Sequence, residues 1–300
     1  MRFSAIKATG WITFAAAAAI LLGVMQNPES RASAQGSGDA ELIGSSTCSA
    51  CHTDHAKAFE KTLHGRKLPV VKNIPLEKSC ETCHGPGSKH AEAGGNKNDP
   101  GFSTIGKVSA DTCLSCHKGG ETKLWDVSAH AQAGLDCTKC HGVHKGEGTK
   151  NLILSPNETC LQCHKKNRLA MNLPSHHPMK EGKMSCASCH NPHGGEFGNL
   201  RAENTTELCF KCHAEKAGPF IHEHPPVSED CKICHEPHGS QNHRLLKKKQ
   251  PLLCLGCHKL PHWSTGAIGT PSLQVRRLYY QCTNCHREIH GSDQKKRFVP

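Results

Sequence analysis

Ten copies of one five-residue pattern, C-x-x-C-H, account for every cysteine in the 300-residue chain. We number these motifs one to ten in chain order. Histidine makes up 24 of the 300 residues, so a histidine after every second cysteine would arise by chance on the order of once in 10¹¹ chains. No cysteine is left over for a disulfide framework or for nucleophilic catalysis. The cysteines are Cys48, Cys51, Cys80, Cys83, Cys113, Cys116, Cys137, Cys140, Cys160, Cys163, Cys186, Cys189, Cys209, Cys212, Cys231, Cys234, Cys254, Cys257, Cys282 and Cys285.

This pattern is the attachment site of haem c. Cysteines at positions i and i+3 lie on one face of a helical turn, so both thiols can add to the two vinyl groups of one porphyrin. The histidine that follows shares this face and reaches the iron as the proximal ligand. The sequence therefore predicts ten covalently bound haems c. Their proximal ligands are His52, His84, His117, His141, His164, His190, His213, His235, His258 and His286.

The composition agrees with a core made of cofactors. Leu, Ile, Val and Phe together make up 52 of 300 residues, and the formal charge is +11. An apolar content below about 20% with a high net charge is typical of chains that do not fold compactly by themselves. The propionates of bound haem would offset the basic charge, so the composition gives no sign of a nucleic-acid partner.

Two other uses of paired cysteines fit less well. A zinc ribbon spaces two C-x-x-C pairs by roughly 15–20 residues, and two intervals fit this, with 20 residues between Cys116 and Cys137 and 18 between Cys212 and Cys231. Zinc, however, gives no reason for a histidine after each pair. A thioredoxin-like redox site needs a βαβ context, which the sequence lacks.

Fourteen further histidines are available as distal iron ligands. One group follows the even-numbered motifs, and a second group precedes them. A histidine three or four residues past a proximal ligand lies on the same side of its own haem, so we expect it to bind a neighbouring haem. The predicted distal ligands are His90, His144, His193, His238 and His290 downstream, and His64, His130, His177, His224 and His262 upstream.

Four histidines remain, and whether one of them replaces an assigned ligand stays open. They are His55, His176, His222 and His243. Met171, Met179 and Met184 are interpreted as packing residues. Histidine on both sides of every iron favours low-spin haems of low potential.

The motifs are arranged in pairs, which indicates five dihaem modules. The first cysteines of motifs three, five, seven and nine are separated by 47, 49 and 45 residues, a period typical of repeat proteins. The predicted modules are 48–110, 111–155, 156–204, 205–250 and 251–300, the last with a basic tail. We expect a mostly irregular chain with short α-helices, for example 157–168 and 205–215, wrapped around a linear array of haems, with almost no β-structure. Residues 35–47 are expected to be a flexible leader, and 87–103 a surface loop.

Residues 1–34 have the features of a secretory signal peptide. Arg2 and Lys7 precede a 15-residue apolar run from Trp11 to Met25, and Ala32-Ser33-Ala34 offers a cleavage site. The run is shorter than the roughly 20 residues that a membrane span needs. The sequence therefore predicts export to the periplasm, whereas association with the outer membrane is implied only by the resemblance described next.

The repeated units HP…GKMSCASCHNPHG and HPPVSEDCKICHEPHG, ten motifs in all, resemble the periplasmic decahaem cytochromes of the MtrA/DmsE type. The resemblance implies an electron-transfer wire rather than an enzyme. Electrons would pass from periplasmic or inner-membrane donor cytochromes, through an outer-membrane β-barrel porin, to an outer-face multihaem cytochrome, a terminal reductase or a mineral. It implies extracellular electron transfer, in metal reduction or, reversed, in iron oxidation.

Two other functions remain open at this point. A multihaem nitrite- or hydroxylamine-type oxidoreductase would have one haem with an open distal site, sometimes with lysine as the proximal ligand. The chain has no C-x-x-C-K motif, and its spare histidines outnumber the irons. An extracellular haem filament would instead assemble from copies of this chain.

Overall fold

The computed structural model describes residues 40–144, 149–259 and 281–299. The predicted signal peptide and the predicted ligand His262 lie outside the described residues. Within the described ranges, no helix is long and apolar enough to cross a membrane.

The chain is mostly irregular, with short helices and a few very short strands, which confirms the expected fold class. The helices are α1 (Ser45–Cys51), α2 (Thr53–Glu60), α3 (Leu63–Val71), α4 (Leu76–His84), α5 (Ser88–Glu92), α6 (Ala110–Leu114), α7 (Ala129–Gln132), α8 (Pro156–Leu161), α9 (Lys165–Ala170), α10 (Thr205–Phe210) and α11 (Pro225–Glu229). The strands are β1 (His190–Gly195), β2 (Gly198–Leu200), β3 (His222–Glu223) and β4 (Gly291–Ser292).

Motifs four, six, eight, nine and ten lie on single turns of 3₁₀ helix rather than on α-helices. These turns are Cys137–Lys139, Cys186–Ser188, Cys231–Ile233, Cys254–Gly256 and Cys282–Asn284. In motifs four and eight an aspartate starts the turn, because Asp136 and Asp230 accept the backbone N–H two residues later, at 2.9 and 2.8 Å. This Asx geometry is the usual way in which aspartate begins a turn. It places the first cysteine at the start of the turn and the histidine just after it.

The two helices expected over 157–168 and 205–215 are each divided in two. Helix α8 ends at Leu161 and α9 begins at Lys165, with His164 at φ −81° and ψ 61° between them. Helix α10 ends at Phe210, and His213 at φ −108° and ψ 49° precedes a 3₁₀ turn. The expectation of one continuous helix is wrong in both cases, because the proximal histidine itself leaves the helical conformation.

The start of the described chain is anchored rather than free. The N–H groups of Ile43 and Gly44 each donate to the Glu81 carboxylate at 2.9 Å, and Ser46 donates to Glu77. Glu81 also accepts from Gly87 N–H at 2.9 Å and is 7% exposed. Residues 41–47, expected to belong to a flexible leader, are therefore tied to motif two.

The segment 87–103 is also more ordered than a plain surface loop. Helix α5 and a 3₁₀ turn over Pro100–Thr104 lie against each other within it. The Phe102 carbonyl lies 2.7 Å from Nδ1 of His90, so this segment holds a predicted ligand.

Ordinary apolar packing is sparse. Among the described residues, the buried apolar side chains are Trp125, Leu161, Met171 and Ala202. Burial of Met171 agrees with its interpretation as a packing residue. So small an apolar core provides little of the burial that usually stabilises a domain, which fits a chain that uses cofactors as its core.

Backbone pairing joins different modules. Strand β3 pairs with β4 through His222↔Ser292 and Glu223↔Gly291, and Ser175 forms an isolated bridge with Ser240. Two glycines that directly follow predicted distal histidines also allow neighbouring modules to approach closely, and we call these close backbone contacts glycine seams. Gly239, at φ 153°, approaches the Ala170 backbone so closely that a Cβ would not fit. Gly194, at φ 86°, would place a Cβ 2.8 Å from the Leu124 carbonyl.

Candidate haem-binding sites

The structure brings nine of the ten proximal histidines to within 6.5 Å, ring centroid to ring centroid, of a predicted distal histidine. The pairs are His52–His90 (6.1 Å), His84–His144 (5.8 Å), His117–His64 (5.9 Å), His141–His193 (5.9 Å), His164–His130 (6.1 Å), His190–His238 (6.0 Å), His213–His177 (6.5 Å), His235–His290 (6.2 Å) and His258–His224 (6.0 Å). The predicted partner of His286 is His262, which is outside the described residues.

This separation suits one metal ion between two imidazoles. A metal–nitrogen bond to histidine is about 2.0–2.1 Å long, and the ring centroid lies roughly 1 Å beyond the nitrogen. Two rings on opposite sides of one iron are therefore about 6 Å apart, centroid to centroid. The nine pairs fit bis-histidine haem iron in their spacing.

The pairs follow two rules along the chain. The proximal histidine of an even-numbered motif faces the distal histidine that follows the next even-numbered motif. For motifs two, four, six and eight, the two ring planes differ by 8°, 20°, 11° and 16°. The proximal histidine of an odd-numbered motif faces the upstream distal histidine of the preceding module. For motifs three, five, seven and nine, the interplanar angles are 72°, 67°, 51° and 26°. These eight pairs each join two modules, whereas His52–His90 lies within the first module.

The structure also separates the histidines that the sequence left open. His177 faces His213, whereas the neighbouring His176 lies 3.0 Å from Glu181 and 2.6 Å from the Leu173 carbonyl. His224 faces His258, whereas His222 lies in strand β3. His243 lies in a 3₁₀ turn.

His55 has a different position from the other three. Its ring centroid is 6.0 Å from His52 and 5.6 Å from His144, at interplanar angles of 89° and 84°. It therefore stands edge-on to rings of two neighbouring pairs. Because it follows His52 by only three residues in the chain, we expect it on that residue's side of a bound haem.

Backbone carbonyls orient many of the rings through Nδ1. Among proximal histidines, Nδ1 of His141, His235 and His286 lies 3.0, 2.8 and 2.7 Å from the carbonyls of Lys150, Arg244 and Arg297, respectively. An Nδ1–H that donates to a carbonyl leaves the Nε2 lone pair free for a metal. Sequence reasoning missed these acceptors, because a backbone carbonyl carries no side-chain signal.

Two upstream histidines have acceptors of the same kind. Nδ1 of His130 and of His177 lies 2.9 Å from the carbonyls of Pro192 and Pro237, respectively. Each of these prolines directly precedes the downstream histidine of the next module. The upstream ligand of one module is thus oriented by the backbone of the following one.

Burial keeps several of these rings neutral. Desolvation lowers the pKa of His84, His144, His190 and His193, and lowers that of His290 to about 4. Metals bind the neutral imidazole. The buried rings are therefore in the protonation state that iron requires.

The thiols of successive motifs lie side by side. Within each module, the first cysteine of the odd motif has a side-chain hydrogen bond with the first cysteine of the even motif, at Cys48–Cys80, Cys113–Cys137, Cys160–Cys186, Cys209–Cys231 and Cys254–Cys282. Between modules, burial and then the charge of the next motif's second cysteine raise the pKa of Cys83, Cys140, Cys189 and Cys234. These interactions link the motifs in chain order.

All twenty cysteines are free thiols. Across the described parts of the chain, no group of three or more Cys, His, Asp and Glu side chains could hold a metal ion by itself.

Comparison with known proteins identifies a matching family model and a similar protein. The family described as "Doubled CXXCH motif" matches residues 129–169, 176–218 and 224–260. The chain is 38% identical over 270 residues to a protein of Shewanella baltica (strain OS185) named "Multiheme cytochrome MtrA". The match covers 83% of this chain and 79% of that protein.

Proposed function

The chain belongs to the MtrA family of multihaem c-type cytochromes, and we propose that it is a wire of ten bis-histidine haems. As a cytochrome of this family it binds haem c covalently and carries electrons, and it is not an enzyme. The number of haems, the ligands and the partners are the parts that we propose.

The histidine pairs are the observation that carries the proposal. Nine proximal rings have a partner ring 5.8–6.5 Å away, a spacing that suits an iron with both axial positions filled by protein. A substrate binds iron only at an open position. The pairing therefore favours electron transfer over catalysis at these nine sites.

The order of the thiols supports a linear path. Within each module the first cysteines of the two motifs are hydrogen-bonded, and between modules the second cysteines interact through their charges. Because the thiols attach to the porphyrin edge, neighbouring motifs would hold neighbouring haem edges close together. Electrons hop efficiently only over such short gaps, so the expected path follows the motifs from one to ten.

The bound haem supplies a reversible one-electron couple at its iron. The chain contributes the rest. Its thiols would hold the porphyrin, and its histidine pairs would bind the iron. The carbonyls of residues such as Lys150 and Arg244 retain the proton on Nδ1, which fixes the ring orientation and the basicity of the ligand.

We further propose that the chain is exported to the periplasm and works within an outer-membrane porin. The charged n-region and apolar run before Ala34 support export. Similarity to MtrA supports the porin setting, with periplasmic or inner-membrane donors on one side and an outer-face cytochrome or terminal reductase on the other.

Spectroscopy of the fully loaded protein tests the haem proposal. Mass spectrometry should find ten haems per chain. Low-temperature EPR with near-infrared magnetic circular dichroism should find ten low-spin bis-histidine irons. A high-spin iron in the purified protein would overturn the all-bis-histidine assignment, and nitrite, hydroxylamine and peroxide would then be tested as substrates.

Reconstitution tests the setting. In liposomes that contain the chain and an outer-membrane barrel porin, an external reductant should bleach an enclosed redox dye. Liposomes with porin alone are the control. Equal bleaching in both would contradict the conduit, and concentration-dependent filaments without porin would favour the filament function instead.

A further inference from the structure

His64, the predicted distal ligand of the third haem, faces a side-chain amide. Nδ2 of Asn151 lies 3.3 Å from His64 Nδ1. The equivalent histidines of the next two modules, His130 and His177, face the backbone carbonyls of Pro192 and Pro237. Asn151 thus occupies, from a side chain, the place that a main-chain group takes elsewhere.

The position of Asn151 recurs in other modules with apolar residues. Asn151 directly follows Lys150, whose carbonyl serves His141, and Leu245 directly follows Arg244, whose carbonyl serves His235. The backbone hydrogen bonds at these two sites also correspond. The N–H of Gly142 donates to the Asn151 carbonyl and that of Glu236 to the Leu245 carbonyl, each at 2.7 Å, and each donor directly follows a proximal histidine. Asn151 and Leu245 are therefore equivalent positions, one polar and one apolar.

A third equivalent position shows what this residue contacts. Phe298 follows Arg297, whose carbonyl serves His286. The Phe298 ring lies 5.5 Å from His224, the upstream histidine of the preceding module. Asn151 has the same relation to His64. In the second and fifth modules this residue therefore lies against the upstream histidine of the module before it, and in the second module it can also form a hydrogen bond.

The chemistry of ligation decides which amide atom faces the ring. If His64 binds iron through Nε2, its Nδ1 carries the proton and needs an acceptor. The NH₂ group of Asn151 cannot accept, but its carbonyl oxygen can, and the two ends of an amide have nearly the same shape. Asn151 also has φ 57°, a left-handed conformation that asparagine tolerates better than most residues.

We propose that Asn151 turns Oδ1 toward His64, accepts its Nδ1–H, and so positions the distal ligand and sets the potential of the third haem. This inference rests on the proposed function, in particular on ligation of the third haem by His64. Asn151 acts through His64 and is a positioning residue. A stronger acceptor makes the imidazole a stronger donor and stabilises ferric iron, whereas loss of the acceptor does the opposite.

Two substitutions in the full-length, haem-loaded protein test the proposal. Asn151→Asp provides a charged acceptor, so one of the ten one-electron steps should move to lower potential. Asn151→Leu removes the acceptor and copies the residue at position 245, so the same step should move to higher potential. A tenfold change in the ratio of oxidised to reduced haem corresponds to about 59 mV. Protein-film voltammetry and EPR report the step and the ligand field.

Two further variants separate the outcomes. His64→Ala should abolish one low-spin signal, which identifies the third haem; if all ten signals persist, the ligation on which the inference rests is wrong. Leu245→Asn is the matched control and should shift nothing, because Pro237 already serves His177. The proposal is overturned if His64→Ala removes a signal but both Asn151 variants leave that haem unchanged. Shifts in the same direction in both variants would also overturn it, because they would reflect packing alone.

Discussion

Adjacent histidines show how finely position decides the role of a residue in this chain. His176 and His177 are chemically identical neighbours. His177 has a ring partner in His213 and a carbonyl partner in Pro237. Glu181 raises the pKa of His176 through a hydrogen bond, and the Leu173 carbonyl adds to the effect. His176 is thus held by Glu181 and Leu173, whereas His177 has the ring partner and the carbonyl partner expected of a ligand.

We therefore expect His177→Ala and His176→Ala to differ sharply. The first should leave the seventh haem with an open position and convert one of ten low-spin irons to high spin. The second should leave all ten unchanged, which makes it the matched control. Magnetic circular dichroism of the oxidised protein measures both. A high-spin iron in His176→Ala but not in His177→Ala would reverse the assignment.

Glu81 offers a second test at the scale of one side chain. Burial alone would raise its pKa, but the N–H groups of Ile43, Gly44 and Gly87 outweigh this and lower the pKa. The ionised form therefore stabilises the fold above the ordinary glutamate pKa of about 4.3, and this contribution is lost as the pH falls through the lowered value.

Glu81→Gln should weaken the anchor at neutral pH. Charge-assisted hydrogen bonds are worth about 1.5–3 kcal/mol each, more than neutral ones. Protection of the Ile43 and Gly44 amides in hydrogen exchange should fall about tenfold, or about 1.4 kcal/mol. The difference from the wild type should vanish under acidic conditions that protonate Glu81. Glu77→Gln is the control, since Glu77 bonds Ser46 instead; an equal loss there would contradict the assignment to Glu81.

At the scale of elements, three proximal histidines lie just past a helix, whereas His84 is the last residue of α4. A cysteine pair needs one turn, and the following histidine must then point to the iron. His52, His164 and His213 accordingly leave the helical conformation, with ψ of 43°, 61° and 49°. Helical patterning in the sequence around 157–168 and 205–215 could not reveal this break, because it arises from where the ligand must point.

The glycine seams carry their own prediction. Gly239→Ala places a Cβ against the Ala170 backbone, at a φ that alanine rarely adopts. We expect a loss of about 1–3 kcal/mol in the free energy of unfolding, or a Tm lower by roughly 3–10 °C. Gly119→Ala is the control, because nothing lies within 4 Å of the added Cβ. Thermal unfolding of the haem-loaded proteins measures the effect. Equal Tm values for the two variants would contradict a close contact between Gly239 and the Ala170 backbone.

At the scale of the whole molecule, candidate ligands could be predicted from the sequence more readily than the pairing of their rings. Cysteine and histidine side chains recur at fixed spacings, so the candidate ligands could be named from the sequence alone. The partner of each ring could not, since His84 and His144 or His235 and His290 meet only through the fold. The acceptors on Lys150 and Arg244 are main-chain atoms, which no residue type signals.

Pairing between modules predicts the result of truncation. A chain ending at residue 250 loses motifs nine and ten but also loses His290, the ring partner of His235. It should carry eight haems, of which one, the eighth, is high-spin. Added imidazole should restore its low-spin spectrum. Eight low-spin haems without imidazole would show that the modules are ligated independently.

The two pairing rules have a consequence for how such chains change length in evolution. Both rules refer only to the adjacent module. A module duplicated in the middle of the chain would therefore receive distal histidines from its new neighbours, and it would supply distal histidines to them. The first module departs from the rules, since His52 faces His90 of its own module. A module added before it would have to change this pair, because the even-motif histidine of the added module would need His90. Internal duplication lengthens the array without changing the pair at this end.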